Sequence, residues 1–278
     1  MLPAAPSGRP YFLPAYQALA QQSRVRFINN SEASAEDYAQ WIGVPRERLR
    51  VVRNGVDFDA FTRPSHEAVA TLRTSLGIPV GAPLVGALFR FSPEKRPELW
   101  IETAARIGDA RQDCRFVLFG MGPLRNAMAA LAEKRGLGDR LAIRDVTPEP
   151  LLALAAFDAC LLTSGAEGTP NVALEAQWLG VPVIATAGGG TREALDLGAS
   201  GWLLEEPDAD ALAKAVLQVL FDPNLRAAAA VRGPAFVRRR FGMDRMLRET
   251  LDLYGVKAER IESTSFPGPS VAREPGTQ

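Results

Sequence analysis

The sequence contains one histidine, His66, and two cysteines, Cys114 and Cys160, among 278 residues. A single imidazole excludes a histidine-based metal cluster. Two isolated thiols without a CxxC pair exclude a disulfide framework and suit a reducing compartment. Neither sign of charge dominates: Lys plus Arg and Asp plus Glu are both 32. A whole-protein electrostatic grip on nucleic acid is therefore not expected. Long apolar runs are missing too. The longest, residues 151–163, is interrupted by Asp158 and falls short of the ~20 residues that cross a bilayer. The opening MLPAAPSGRPYFLPAY has prolines where a secretory leader needs an unbroken apolar stretch, so no signal peptide is expected.

What is present reads as a globular α/β protein, 47% hydrophobic and 23% charged, with enough chain for a sizeable core. From about residue 83, short apolar runs alternate with helical patterns. The runs are PLVGALF (83–89), RFVLFG (115–120), RLAIRD (140–145), DACLLT (158–163), VPVIAT (181–186) and GWLLE (201–205). Continuous apolar runs of this length suit parallel strands buried on both faces. Helices are predicted over 95–108, 123–136, 148–156, 170–179 and 190–197, then 208–221, 224–239 and 243–253. The alternation predicts a doubly wound, Rossmann-like parallel sheet. Residues 1–54 read differently, with a helix near 11–22, a strand at 24–28, and a helix from Ser34, its N-cap, to the stop at Gly43. The polar tail 256–278 is rich in Pro, Gly and Ser and is expected to be disordered.

The stretch EGTPNVALEAQ (167–177) carries the most chemistry. Acids eight apart mean nothing alone, since Glu94 and Glu102 share that spacing. The context is what informs. A strand ends, a loop bears Glu167 and Gly168, and Thr169 and Pro170 open a helix as expected N-cap and first residue. Such a helix start favours a phosphate. Glu175, within that helix, can accept hydrogen bonds from a ribose diol. The alternative is a capped helix with two solvated glutamates. Arg90 and Lys95, after the first strand, can clamp a diphosphate or simply form a basic loop. FGMGPLR (119–125) begins like a dinucleotide fingerprint but has Arg125 where the third glycine belongs, so nicotinamide binding is disfavoured. Gly188, Gly189 and Gly190 suit either a ligand contact or a turn. The DxD strings at Asp57/Asp59 and Asp208/Asp210 read as turn and cap residues rather than metal ligands. The basic run FVRRRF (236–241) suits either a solvated face or acidic lipid headgroups.

Taken together, RVVRNGVD, FRFSPEKRPELW, FVLFGMGP and EGTPNVALEAQWLGVPVIATAGGGTREAL resemble the retaining GT-B glycosyltransferases of group 1, family 4, in a bacterial polysaccharide-type branch. The resemblance spans about residues 24–254. It implies that Arg90 and Lys95 hold the donor diphosphate and that Glu175 binds the ribose. It implies that Glu167 contacts the transferred sugar and that Gly168, Thr169, Pro170, Asn171 and Val172 line the phosphate side. It further implies a UDP-sugar or GDP-sugar donor, a saccharide or lipid-linked acceptor, retention, no cofactor and no obligatory metal. A cytoplasmic setting follows, including peripheral attachment at the inner face of the membrane. The expected organisation is a remnant of the acceptor domain plus linker (1–54), a donor-binding domain (55–240), a C-terminal crossover helix (241–255) and the tail (256–278). The crossover helix is expected to be covered by segment 1–54, above all by the helix near 11–22 and the strand at 24–28, with an apolar patch left exposed. The alternative is a truncated module that binds the nucleotide-sugar without transferring it.

Overall fold

The computed structural model describes residues 12–256; the tail expectation, apart from Val256, lies outside the described residues. The main sheet has six parallel strands: β3 (Leu84–Leu88), β4 (Arg115–Phe119), β5 (Leu141–Arg144), β6 (Ala159–Leu162), β7 (Val183–Thr186) and β8 (Gly201–Leu204). Their spatial order is β5-β4-β3-β6-β7-β8. The chain thus winds outward from β3 in one direction and from β6 in the other, which is the doubly wound arrangement expected.

The four inner strands are apolar because both sheet faces are covered. Successive side chains alternate between two cores. Val85, Phe116 and Leu118 join the side formed by α4 (Pro97–Ala110), α5 (Arg125–Lys134) and α8 (Ala209–Phe221). Leu84, Val117 and Phe119 join the side formed by α3 (His66–Ser75), α6 (Pro150–Ala155) and α7 (Asn171–Leu179). Asp158, the one polar break in the long apolar run, accepts from Leu84 N (2.8 Å) and pairs with Arg73 (3.1 Å). It ties α3 to the start of β3. Two further helices, α9 (Pro223–Phe241) and α10 (Met243–Leu253), follow.

The first segment forms a small unit of its own. Strands β1 (Phe27–Asn29) and β2 (Leu49–Val51) pair in parallel, beside α1 (Leu13–Ala20) and α2 (Glu32–Ile42). Tyr16 stacks on Phe27 and meets Trp41 edge-on. Several local expectations shift. The N-cap of α2 is Ser31, whose side chain accepts from Ser34 N, because the helix starts three residues earlier than read; Gly43 closes it in the left-handed conformation as expected. The helix expected at 190–197 is a 3-10 turn, Gly189–Ala194. The contacts that hold helix α10 come from the linker. Arg245 donates to Arg53 O and Asn54 O, and Met246 fills the space a side chain on Gly55 would need. Leu247 and Tyr254 stay exposed.

Helix α7 is apolar nearly all round and is fixed by Gln177, which is fully buried. The Gln177 amide nitrogen donates to Ala173 O and Ala194 O. Its oxygen accepts from Asp196 N and Ser200 Oγ. Every capacity of the amide is used. Gln177→Leu should therefore strand a buried N–H, a hydroxyl and a carbonyl, and lower the unfolding free energy by about 2–4 kcal/mol. Urea titration checks this; a loss below about 0.5 kcal/mol would mean that the network does not hold the helix.

Candidate functional site

At the carboxyl ends of β3 and β6 the crossovers diverge and leave a crevice, the usual ligand position in open α/β sheets. From β3 the chain runs through Phe89 and Arg90 to a 3-10 turn, Pro93–Lys95, and then α4. From β6 it runs through Thr163 and the glutamate loop to α7. The loop floor is the triple glycine. A side chain on Gly188 would lie 2.4 Å from Ser164 O, and one on Gly189 would lie 2.2 Å from Glu167 O. Gly190 N donates to Glu167 O at 2.9 Å. The glycines form a turn, Gly189–Ala194 being 3-10, and let that backbone pack closely on the glutamate loop. Gly168 is similar: the Asn30 amide occupies the space of its missing side chain, 2.5 Å from where a Cβ would be.

The structure brings Lys95 and Glu167 together, Nζ to Oε1 at 2.5 Å. Arg90, on the same loop as Lys95, is exposed, and its guanidinium has no hydrogen-bond or ion-pair partner among the described residues. It lines an apolar cavity of about 690 Å3 together with Phe89, Met121, Val146 and Pro150. Pro150 also borders a second cavity of about 450 Å3, whose wall includes Glu175. Glu175 is the one charged residue of α7, and its carboxylate has no polar partner among the described residues. Burial pushes its carboxyl up to about 6, because the charged form is poorly solvated there. An unpaired, desolvated carboxylate on a cavity wall is costly to keep and marks a functional candidate.

The start of α7 differs from the reading in detail. Thr169 does not cap the helix; its hydroxyl donates to Asn30 O at 2.8 Å. Pro170 takes the cap position, without a side-chain bond, and Asn171 is the first helical residue. The first amides of such a helix have no intrahelical acceptor, so this end still presents donors at Asn171 and Val172. Asn54 donates to the Asn171 side chain (2.7 Å) and accepts from Asn30 Nδ2 (3.1 Å). The linker is thereby laced to the helix start.

Some residues here were not singled out from sequence. Arg96 caps α4 with φ +48°, an arrangement that costs an L-residue about 1 kcal/mol or more. Burial lowers its affinity for its proton. The following Pro97 signals only that Arg96 stays out of the right-handed helical region; its left-handed backbone has no local sign. Glu193 accepts from Ala33 N (3.1 Å) and Arg53 (3.0 Å), joining the glycine turn to α2 and the linker. Neither partner is near it in sequence. Asp208 caps α8 and Asp57 closes a turn, while Asp59 pairs with Arg238 and Asp210 with Arg106. Among the described residues no group of three or more His, Cys, Asp or Glu could hold a metal. Arg125 lies across the ends of β4 and β5, donating to Gly120, Ile143 and Arg144 carbonyls.

The family described as "Glycosyl transferases group 1" matches residues 69–235. The Vi polysaccharide biosynthesis protein VipC/TviE of Salmonella typhi is 32% identical, over 86% of this chain and 42% of its own. A D-inositol 3-phosphate glycosyltransferase of Thermobispora bispora is 31% identical, over 90% of this chain and 61% of its own. The chain thus spans about half the length of the curated relatives it matches. Among solved structures, Anabaena Alr3699/HepE in complex with UDP and glucose superposes with a TM-score of 0.82 at 24% identity, covering 90% of this chain and 69% of that one. A likeness at that identity speaks to the fold alone, which is the parallel α/β fold of GT-B proteins. With the family match running from α3 into α9 and enclosing the whole six-stranded sheet and its crevice, the chain belongs to the group 1 glycosyltransferases.

Proposed function

We propose that this chain forms the donor half of a glycosyltransferase. It binds a nucleoside-diphosphate sugar in the β3/β6 crevice, for transfer with retention to a saccharide or lipid-linked acceptor in polysaccharide or glycoconjugate synthesis. The observation that carries the reading is Glu175, a desolvated carboxylate without a side-chain partner, on the wall of the cavity that shares Pro150 with the larger apolar one and one helix turn from the free amides of α7. A base fits the apolar cavity. The ribose hydroxyls then donate to Glu175. The diphosphate reaches Arg90, Lys95 and the first amides of α7, and the sugar lies toward Glu167 and Gly168. The donor class is supported by the relative that binds UDP and UDP-glucose, and the acceptor class by the relative named for polysaccharide biosynthesis.

In this reading Arg90, Lys95 and the helix end stabilise charge as the diphosphate departs, and no metal is required. Lys95 begins paired with Glu167, so the arriving diphosphate shares that cation with the carboxylate. Among the described residues no helix is long and apolar enough to cross a membrane. Peripheral attachment at the inner membrane face would suit a lipid-linked acceptor.

Two outcomes test the site. The Glu175 carboxyl is raised from 4.5 to about 6 in the folded state. The folded chain therefore holds its proton more tightly than the unfolded chain, and ionisation costs stability as pH rises from about 4.5 through 6. Glu175→Gln should be more stable than wild type by about 1–2 kcal/mol at pH 8, the gap closing below about pH 4.5. The same variant should bind UDP about tenfold or more weakly at pH 8, a loss of about 1.5–3 kcal/mol. With UDP-glucose, whose esterified diphosphate does not titrate near pH 6, wild-type affinity should rise with pH through about 6 and the variant's should stay flat. Denaturation and calorimetry across pH read both; a variant that binds UDP as tightly as wild type removes Glu175 from the ribose role.

The second outcome concerns the cations. UDP binding should persist in a chelator and weaken with salt. Arg90→Ala should cost more affinity than Lys95→Ala, because a guanidinium grips two oxygens and Lys95 is already engaged by Glu167. Strict dependence on added magnesium or manganese would contradict the metal-free site.

A further inference from the structure

Only two described non-glycine residues have left-handed φ: Glu206, in an exposed turn, and Arg96. Glycine would take the Arg96 conformation freely, so a long side chain retained there calls for a compensating contact. Its guanidinium supplies one. Nε donates to Thr163 O at 2.7 Å, and Nη2 reaches Ser164 O at 3.4 Å. The described residues place no acid within ion-pair distance of it. The glutamate loop lies flat on this group: a Cβ on Gly165 would sit 3.5 Å from Arg96 Nε. The bonding is returned from the other side. The Thr163 hydroxyl contacts the carbonyls of Lys95 (2.9 Å) and Arg96 (3.1 Å), and Gly165 N donates to Glu94 O (2.8 Å). Two residues beyond Gly165 the loop reaches Glu167.

We propose that Arg96 is a positioning residue for the transferred sugar: its guanidinium fork, anchored on two backbone carbonyls, fixes the 163–168 loop so that Glu167 and the Gly168 backbone face the sugar of the donor. This rests on the donor-site reading above. Arginine suits the task because its donors form a rigid planar fork, whereas lysine would supply the charge without the fork. Arg96 need not touch the ligand. Its effect should therefore appear in sugar recognition, through Glu167, rather than in the grip on the diphosphate.

The test compares wild type with Arg96→Gly, which relieves the backbone conformation while removing the fork, and Arg96→Lys, which keeps the charge. Hydrogen exchange of the peptide spanning 163–169 reports the loop directly; both variants should exchange about tenfold faster there, with the sheet strands unchanged. By calorimetry both should bind UDP-glucose about tenfold more weakly and UDP less than about threefold more weakly. In a Glu167→Ala background, Arg96→Gly should add little further loss, because both changes act on one contact. Unchanged loop exchange in Arg96→Gly, or wild-type sugar affinity in Arg96→Lys, would overturn the proposal. So would equal losses for UDP and UDP-glucose, which would assign Arg96 to the diphosphate. A wild-type chain that binds neither nucleotide would overturn the donor reading itself, and the loop exchange would tell that failure apart from loss of the Arg96 tether.

Discussion

Strands β3 and β6 lie side by side and parallel, yet the chain leaves them in opposite directions. Right-handed crossovers carry β3 through α4 to β4 on one side and β6 through α7 to β7 on the other. No connection can cover the gap between them, so two loops and two helix starts converge there. Everything argued for the site depends on that constraint. It sets Lys95, from the loop after β3, within 2.5 Å of Glu167, from the loop after β6, although 72 residues separate them. It also aims the α7 N-terminus into the space where a phosphate would be stabilised.

The rest of the molecule keeps those loops stiff at some cost. Glycines at 188–190 let one backbone lie on another. Asn30, Asn54 and Glu193 stitch the first segment and linker to the donor side. Arg96 holds an unfavourable backbone conformation while its fork sits on the loop after β6. Glu175 stays desolvated and unpaired on a helix that would be more stable with a neutral residue there. Those two liabilities lie on the elements that follow β3 and β6, in a protein whose other buried polar side chains are mostly satisfied; the exceptions among the described residues are the Nε atoms of Arg53 and Arg245. Stability given up locally and repeatedly around one crevice is the pattern of a site kept for function.

Much of this was legible in the sequence because the periodicities are local. Each apolar run from 83 to 205 became a strand of the sheet, since a strand buried on both faces must be apolar throughout. The Glu167–Glu175 stretch was legible because a loop, a proline and a helix follow in order. What stayed hidden depended on partners far along the chain. Thr169 looked like an N-cap until Asn30, 139 residues away in sequence, took its hydroxyl. The three-residue β2 has too little sequence to show a period. Helix α3 lies in a stretch where linker residues masked it, and its N-cap, Ser65, shows only once the helix is placed. Nothing local says that the Arg96 guanidinium turns inward to the Thr163 and Ser164 carbonyls just beyond β6.

The central claim is that one nucleotide spans the crevice from the apolar cavity to the glutamate loop. A structure of the chain soaked or co-crystallised with UDP tests it most directly. The account predicts the base against Met121, Val146 and Pro150, the ribose hydroxyls on the Glu175 carboxylate, and the diphosphate between Arg90 and the first amides of α7. A nucleotide bound elsewhere, or one whose ribose lies out of hydrogen-bond reach of Glu175, would contradict it.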